Sequence, residues 1–112
     1  MSSRLIKIHK SSRQLELYEG NVLLRRFPVA IGKAGTPTPV GRFTIADKRL
    51  DPGGVFGSRW LGLSKPGYGI HGTNDPSSIG KAVSKGCIRM YNYHAEELFR
   101  NVEVATPVII EP

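Results

Sequence analysis

The chain has 112 residues, 39% hydrophobic and 22% charged, which makes one domain with a modest core and excludes a disordered chain. Sixteen Lys and Arg against nine Asp and Glu leave a net charge of +7, a surface that attracts anionic polymers. One cysteine excludes an internal disulfide, and His9, His71 and His94 are too scattered for a tetrahedral zinc site.

The opening string MSSRLIKIHK has no apolar stretch behind its charges, so no signal peptide is expected. No apolar run approaches the ~20 residues that span a bilayer, so no membrane span is expected either. RLIKIH places Ile6 and Ile8 at period two. QLELYE sets Leu15 and Leu17 on one face and Glu16 and Tyr18 on the other, so both segments read as strands. Gly20 then supplies a turn into VLLRRFPVAIG, a hairpin pattern.

In GTPTPVG, Pro37 and Pro39 fix φ and block ladder hydrogen bonds, giving a rigid connection. RFTIA resumes strand character, KRLDPGGVFGSR reads as a turn-rich loop, and WLGLS and YGIHG read as short strands. NYHAEELFRNV is the one helix. Asn92 is expected as its N-cap, Glu96 and Glu97 in its early turns, and Ala95, Leu98 and Val102 along its buried face. TPVIIEP closes the chain as a strand with Pro107 at its start. The expectation is a mainly β, sandwich-like single domain over residues 1–112, with one short helix just after Cys87.

A free cysteine is most often a small buried hydrophobe. Cys87 departs from that pattern, because it follows Lys85 and Gly86 and precedes Arg89. Gly86 permits φ > 0 or close approach of a ligand, and the positive neighbours favour thiolate over the ordinary pKa of about 8.5. His71 lies sixteen positions earlier, at the end of YGIHG and before Gly72. A nucleophilic thiol needs a base within hydrogen-bond reach, and the base needs a third group to orient it. A backbone carbonyl beside His71 can fill that role, the one acidic residue near it in sequence being Asp75. Thr73, Asn74, Asp75, Ser77 and Ser78 are ordinary turn formers, and His9 and His94 read as surface residues. Trp60, Tyr68 and Tyr91 read first as core, with a cleft as the other use.

The string IHGT…SKGCIRM resembles the signature of the YkuD-type L,D-transpeptidases of bacterial cell walls, and VAIGKAGTPTPVGRFTI resembles the same family's upstream segment, with Thr38, Pro39, Gly41, Phe43 and Ile45 in place. The resemblance runs from about Leu5 to Glu111. It implies the L,D-transpeptidase catalytic fold, Cys87 as nucleophile, His71 as base and then acid, and the Gly72 carbonyl as orienter of the imidazole. It further implies an oxyanion hole from the Gly86 and Cys87 amides. Arg89 would meet a substrate carboxylate, Ser84 would shape the loop, and Lys85 and Thr73 would lie along the substrate. Lys85 departs from the family, many of whose members have histidine there.

The implied chemistry cleaves an L,D bond in a peptidoglycan stem, releases a terminal D-amino acid and joins two diaminopimelate residues in the service of cell-wall biogenesis and cell shape. It needs no metal or organic cofactor and brings acylation by carbapenem-type β-lactams. Two other readings stand beside it: an L,D-carboxypeptidase, in which water takes the thioester, and a non-catalytic basic module on anionic wall polymer. The expected partners are donor and acceptor stem peptides. With no basic tail, basic helix or nucleic-acid motif, nucleic acid is not expected. A monomer is expected, outside the cytoplasm by family resemblance, with no separate wall-binding module in the sequence.

Overall fold

Strand pairing in a computed structural model, which describes residues 3–112, follows the hydrophobic alternation closely. In chain order the elements are β1 (Arg4–His9), β2 (Gln14–Glu19), β3 (Val22–Pro28), β4 (Ile31–Gly32), β5 (Gly41–Leu50), β6 (Arg59–Leu63), β7 (Gly69–His71), β8 (Ala82–Ser84), β9 (Ile88–Arg89), α1 (Asn92–Asn101) and β10 (Pro107–Glu111). Eight strands form one sheet in the order β3-β2-β1-β10-β5-β6-β7-β9, and β4 and β8 pair as a separate ribbon. β1 runs parallel to β10, with Ile6 opposite Val108 and Ile8 opposite Ile110. The β2–β3 turn uses Gly20 at φ 58, a conformation that costs glycine little.

The sheet curls on itself. Ala30, two residues past one edge strand, bridges to Arg89 in the other edge strand through paired N–H···O bonds of 2.9 and 3.0 Å. That clasp brings the two edges together and limits their exposure to outside strands. Inside the curl lie Ile6, Ile8, Leu15, Leu17, Phe27, Ile45, Leu61, Ile70, Ile88, Val108 and Ile110, all buried. Each contributes about 1.5–3 kcal/mol of burial. The helix lays Ala95 and Leu98 into the same core and packs on β6 and β7. The sandwich-like packing therefore comes from a single curled sheet.

Three local readings change. β5 continues through Lys48–Leu50, which the sequence presents as loop, and pairs there with Leu61–Arg59. A lysine at a core-facing position hides the alternation, because its stem runs along the apolar face and its Nζ donates to the carbonyls of Phe99 and Val102 at 2.7 and 2.8 Å. β8 and β9 are too short to show a period. The helix N-cap is Tyr91, with no side-chain cap, and Asn92 is the first helical residue.

Candidate functional site

The site is set by strand register. β7 and β9 run parallel, with Ile70 opposite Ile88 and His71 opposite Arg89. Ile70 and Ile88 enter the core, so alternation turns His71 and Arg89 to the other face, and with them Gly69 and Cys87, one residue before β9. The same row continues outward: Trp60 lies opposite His71 and Arg49 opposite Trp60. The neighbouring row places Gly62 opposite Gly69 and Asp47 opposite Gly62.

His71 is 3% exposed. Its Nδ1–H donates to the Gly72 carbonyl at 2.5 Å, which leaves Nε2 as the basic nitrogen. Trp60 stacks nearly parallel to the imidazole at 5.7 Å, and Phe56 meets it edge-on at 5.1 Å. Burial lowers the His71 pKa to about 4, against the raising effect of the Gly72 bond and with a further lowering from Arg89. The ring is neutral at pH 7.

Cys87 is partly buried, with Sγ 3.8 Å from the Gly67 carbonyl. Burial raises its pKa, and hydrogen bonding at the Gly69 backbone and the charge of Arg89 oppose that without prevailing. The positive neighbours were expected to favour thiolate; desolvation outweighs them, and the Lys85 side chain is exposed. At pH 7 the thiol is protonated and the imidazole neutral, and both lie on the same face of the sheet.

The loop bearing Cys87 is held from two sides. Ser84 Oγ donates to the Cys87 carbonyl at 2.6 Å and accepts the Gly86 N–H at 3.1 Å. Thr38 Oγ1 donates to the Gly86 carbonyl and accepts the Gly32 N–H, both at 2.9 Å, and Thr36 Oγ1 donates to the Ser84 carbonyl at 2.9 Å. The stiff GTPTPVG segment thus clamps the thiol loop. Gly86 sits at φ 120, and a Cβ there would lie 2.7 Å from a Tyr68 ring carbon. Its amide is bonded to Ser84 Oγ, within the loop itself.

Gly72, with no side chain, leaves room beside the strand end. That room is filled: a Cβ on Gly72 would lie 2.0 Å from Asn92 Oδ1. Asn92 accepts the N–H of Ser58 and of Thr73 at 3.1 and 3.0 Å and donates to the Thr73 carbonyl at 3.1 Å. The residue read as a helix cap instead ties the start of α1 to the strand end that carries His71. Thr73 is buried, and its Oγ1 accepts the Asp75 N–H at 2.9 Å, a loop-shaping contact.

Sequence reasoning did not assign Trp60, Phe56 or Asn92 to the site. One signal for Trp60 was available: Gly62 and Gly69 flank the same strand pair, and a Cβ on Gly69 would lie 2.5 Å from the indole. His94 is not a plain surface residue. It packs against Phe27 and Tyr93 at 5.0 and 4.3 Å, and burial lowers its pKa. Among the described residues, no group of three His, Cys, Asp or Glu side chains is close enough to hold a metal ion, and no helix is long and apolar enough to cross a membrane.

These features define a mainly β domain whose curled sheet carries an imidazole at the end of β7 and a thiol one residue before the paired strand β9, both on the same face. Residues 3–110 match the YkuD family of L,D-transpeptidase catalytic domains, and the chain belongs to that family. It is 52% identical over 107 residues to YkuD of Bacillus licheniformis, named as an L,D-transpeptidase, covering 96% of this chain and 65% of that one. It is 50% identical over 105 residues to YkuD of Bacillus subtilis, covering 94% and 64%. The chain thus spans about 65% of the length of these relatives. The solved catalytic domain of an E. faecium L,D-transpeptidase matches with a TM-score of 0.84 at 26% identity, covering 99% of this chain and 98% of that one.

Proposed function

We propose that the chain is a cysteine-dependent acyltransferase, an L,D-transpeptidase catalytic domain acting on peptidoglycan stem peptides on the outer side of the cytoplasmic membrane. The observation that carries this reading is the His71 ring, bonded through Nδ1 to the Gly72 carbonyl at the end of the strand that pairs with β9, which begins one residue after Cys87. That bond fixes the tautomer whose free Nε2 can take the thiol proton.

In the first step Nε2 removes the Sγ proton as sulfur attacks the carbonyl of an L,D bond in a tetrapeptide stem. The Cys87 amide stabilises the oxyanion, and the imidazolium returns its proton to the departing D-amino acid. Arg89, opposite His71 in register, binds a substrate carboxylate. An amine from a second stem then opens the thioester and forms a cross-link between two diaminopimelate residues. Water in the amine's place gives a carboxypeptidase. Ser84 and Gly86 shape the thiol loop, while exposed Lys85 and the Thr73 loop border the substrate's path.

Intact mass after incubation with a carbapenem tests the reading. An adduct on the wild-type chain and none on a folded Cys87→Ala variant is the expected result. An adduct on another residue, or none at all, would leave the charged surface as the better account.

A further inference from the structure

Beyond Trp60 and Phe56, which contact the imidazole, lies a cleft of about 290 Å³ lined by Asp47, Arg49, Pro52 and these two rings. We infer that this cleft seats the second substrate, an amine carried on a short apolar arm from a carboxylate, and that Arg49 binds the carboxylate. The inference rests on the transpeptidase reading above and adds where the acceptor sits.

The argument starts from register. Arg49, Trp60, His71 and Arg89 form one row across β5, β6, β7 and β9. At roughly 4.8 Å per strand, Arg49 stands about 10 Å from His71 and about 14 Å from Arg89. Two guanidinium groups therefore bracket a tryptophan and an imidazole. The Arg89 pole adjoins Cys87 and belongs to the acylating substrate.

The second step supplies the direction of approach. The amine nitrogen bonds to the thioester carbonyl carbon and the C–S bond breaks. The amine's proton passes to His71 Nε2 and then to the departing Sγ, which restores the neutral pair. The amine must therefore reach the carbonyl beside the imidazole. On that side Trp60 and Phe56 wall both the ring and the cleft, and they contact each other edge-on at 5.2 Å. They offer an apolar path for the methylene arm. At the far end Arg49 is 72% exposed, and Asp47 holds it through Nε alone at 3.0 Å. Its terminal nitrogens remain to meet a carboxylate in the paired geometry guanidinium favours.

Trp60 is the chain's single tryptophan, so its emission reports on the cleft without any turnover. The full chain is titrated with 6-aminohexanoate and with hexylamine. A saturable emission change with 6-aminohexanoate is expected, with half-saturation raised about tenfold in Arg49→Gln and largely restored in Arg49→Lys. Hexylamine should bind about as weakly to the wild type as 6-aminohexanoate does to Arg49→Gln. No emission change in the wild type, equal affinity in Arg49→Gln, or equal affinity for hexylamine would each overturn the assignment. Cys87→Ala should bind like the wild type. A missing carbapenem adduct would thus count against the thiol chemistry, and a failed titration against the cleft.

Discussion

His9 and His71 each occupy the last residue of a strand, β1 and β7, and their surroundings are opposite. His9 Nε2 meets Glu16 Oε1 at 2.8 Å, and Tyr18 and Arg26 donate to the same carboxylate. Burial alone would raise the Glu16 pKa, but these hydrogen bonds overrule it and hold the group at about 2. His71 has a backbone carbonyl and aromatic rings about it where His9 has the carboxylates of Glu16 and Glu111. The first cluster saturates its acceptor with donors and so stabilises charge. The second removes solvent from an imidazole and keeps it neutral, with one nitrogen left for a proton. A satisfied network favours rigidity; a partly satisfied, desolvated base is suited to chemistry.

Exchanging the two histidines' fates is the sharpest way to break that contrast. His71→Gln should lower the rate of carbapenem acylation by about 10²–10⁴-fold, the usual worth of a positioned base, with the circular-dichroism spectrum unchanged. His9→Gln should leave that rate within about twofold and cost about 1 kcal/mol of stability in urea unfolding. Equal losses of rate in the two variants would abolish the distinction.

Stability against pH sharpens it next. The folded His71 pKa is lowered from 6.5 to about 4, so the unfolded chain binds a proton that the folded chain refuses. Its contribution is complete above pH 6.5 and is lost as pH falls toward 4, on the order of 3 kcal/mol. The folded Glu16 pKa is lowered from 4.5 to about 2, so its contribution is present above 4.5 and lost as pH falls toward 2. That loss should be nearer 1–2 kcal/mol, because Arg26 in the pair is half exposed and solvent screens it. Urea midpoints should decline in two successive windows. His71→Gln should remove the upper one and Glu16→Gln the lower one.

The smallest effect concerns the aromatic wall. Trp60→Leu should admit water to the imidazole and move the acid limb of the acylation rate from about 4 toward the ordinary 6.5. An unmoved limb would mean that the indole does not set the ring's ionisation.

Much of the framework was legible before folding. Alternation in RLIKIH, QLELYE and TPVIIEP announces strands because a half-buried sheet demands period two, and all three are strands. The family was legible because its two motifs occur in order. Asn92 shows why the rest was not. Its type and place suit a cap, yet its amide is used by backbone groups 34 and 19 positions away. Lys48 hides a strand for a similar reason, its acceptors lying at Phe99 and Val102.

By itself the sequence determined the strands, the lone thiol, the histidine at a strand end and the glycines around both, since these depend on local period and backbone freedom. Only the tertiary structure decided that Thr38 clamps the thiol loop, that Trp60 and Phe56 bury the imidazole, and that Cys87 keeps its proton at rest. Desolvation and register depend on which distant segments meet, and no spacing along a chain encodes how much water they exclude.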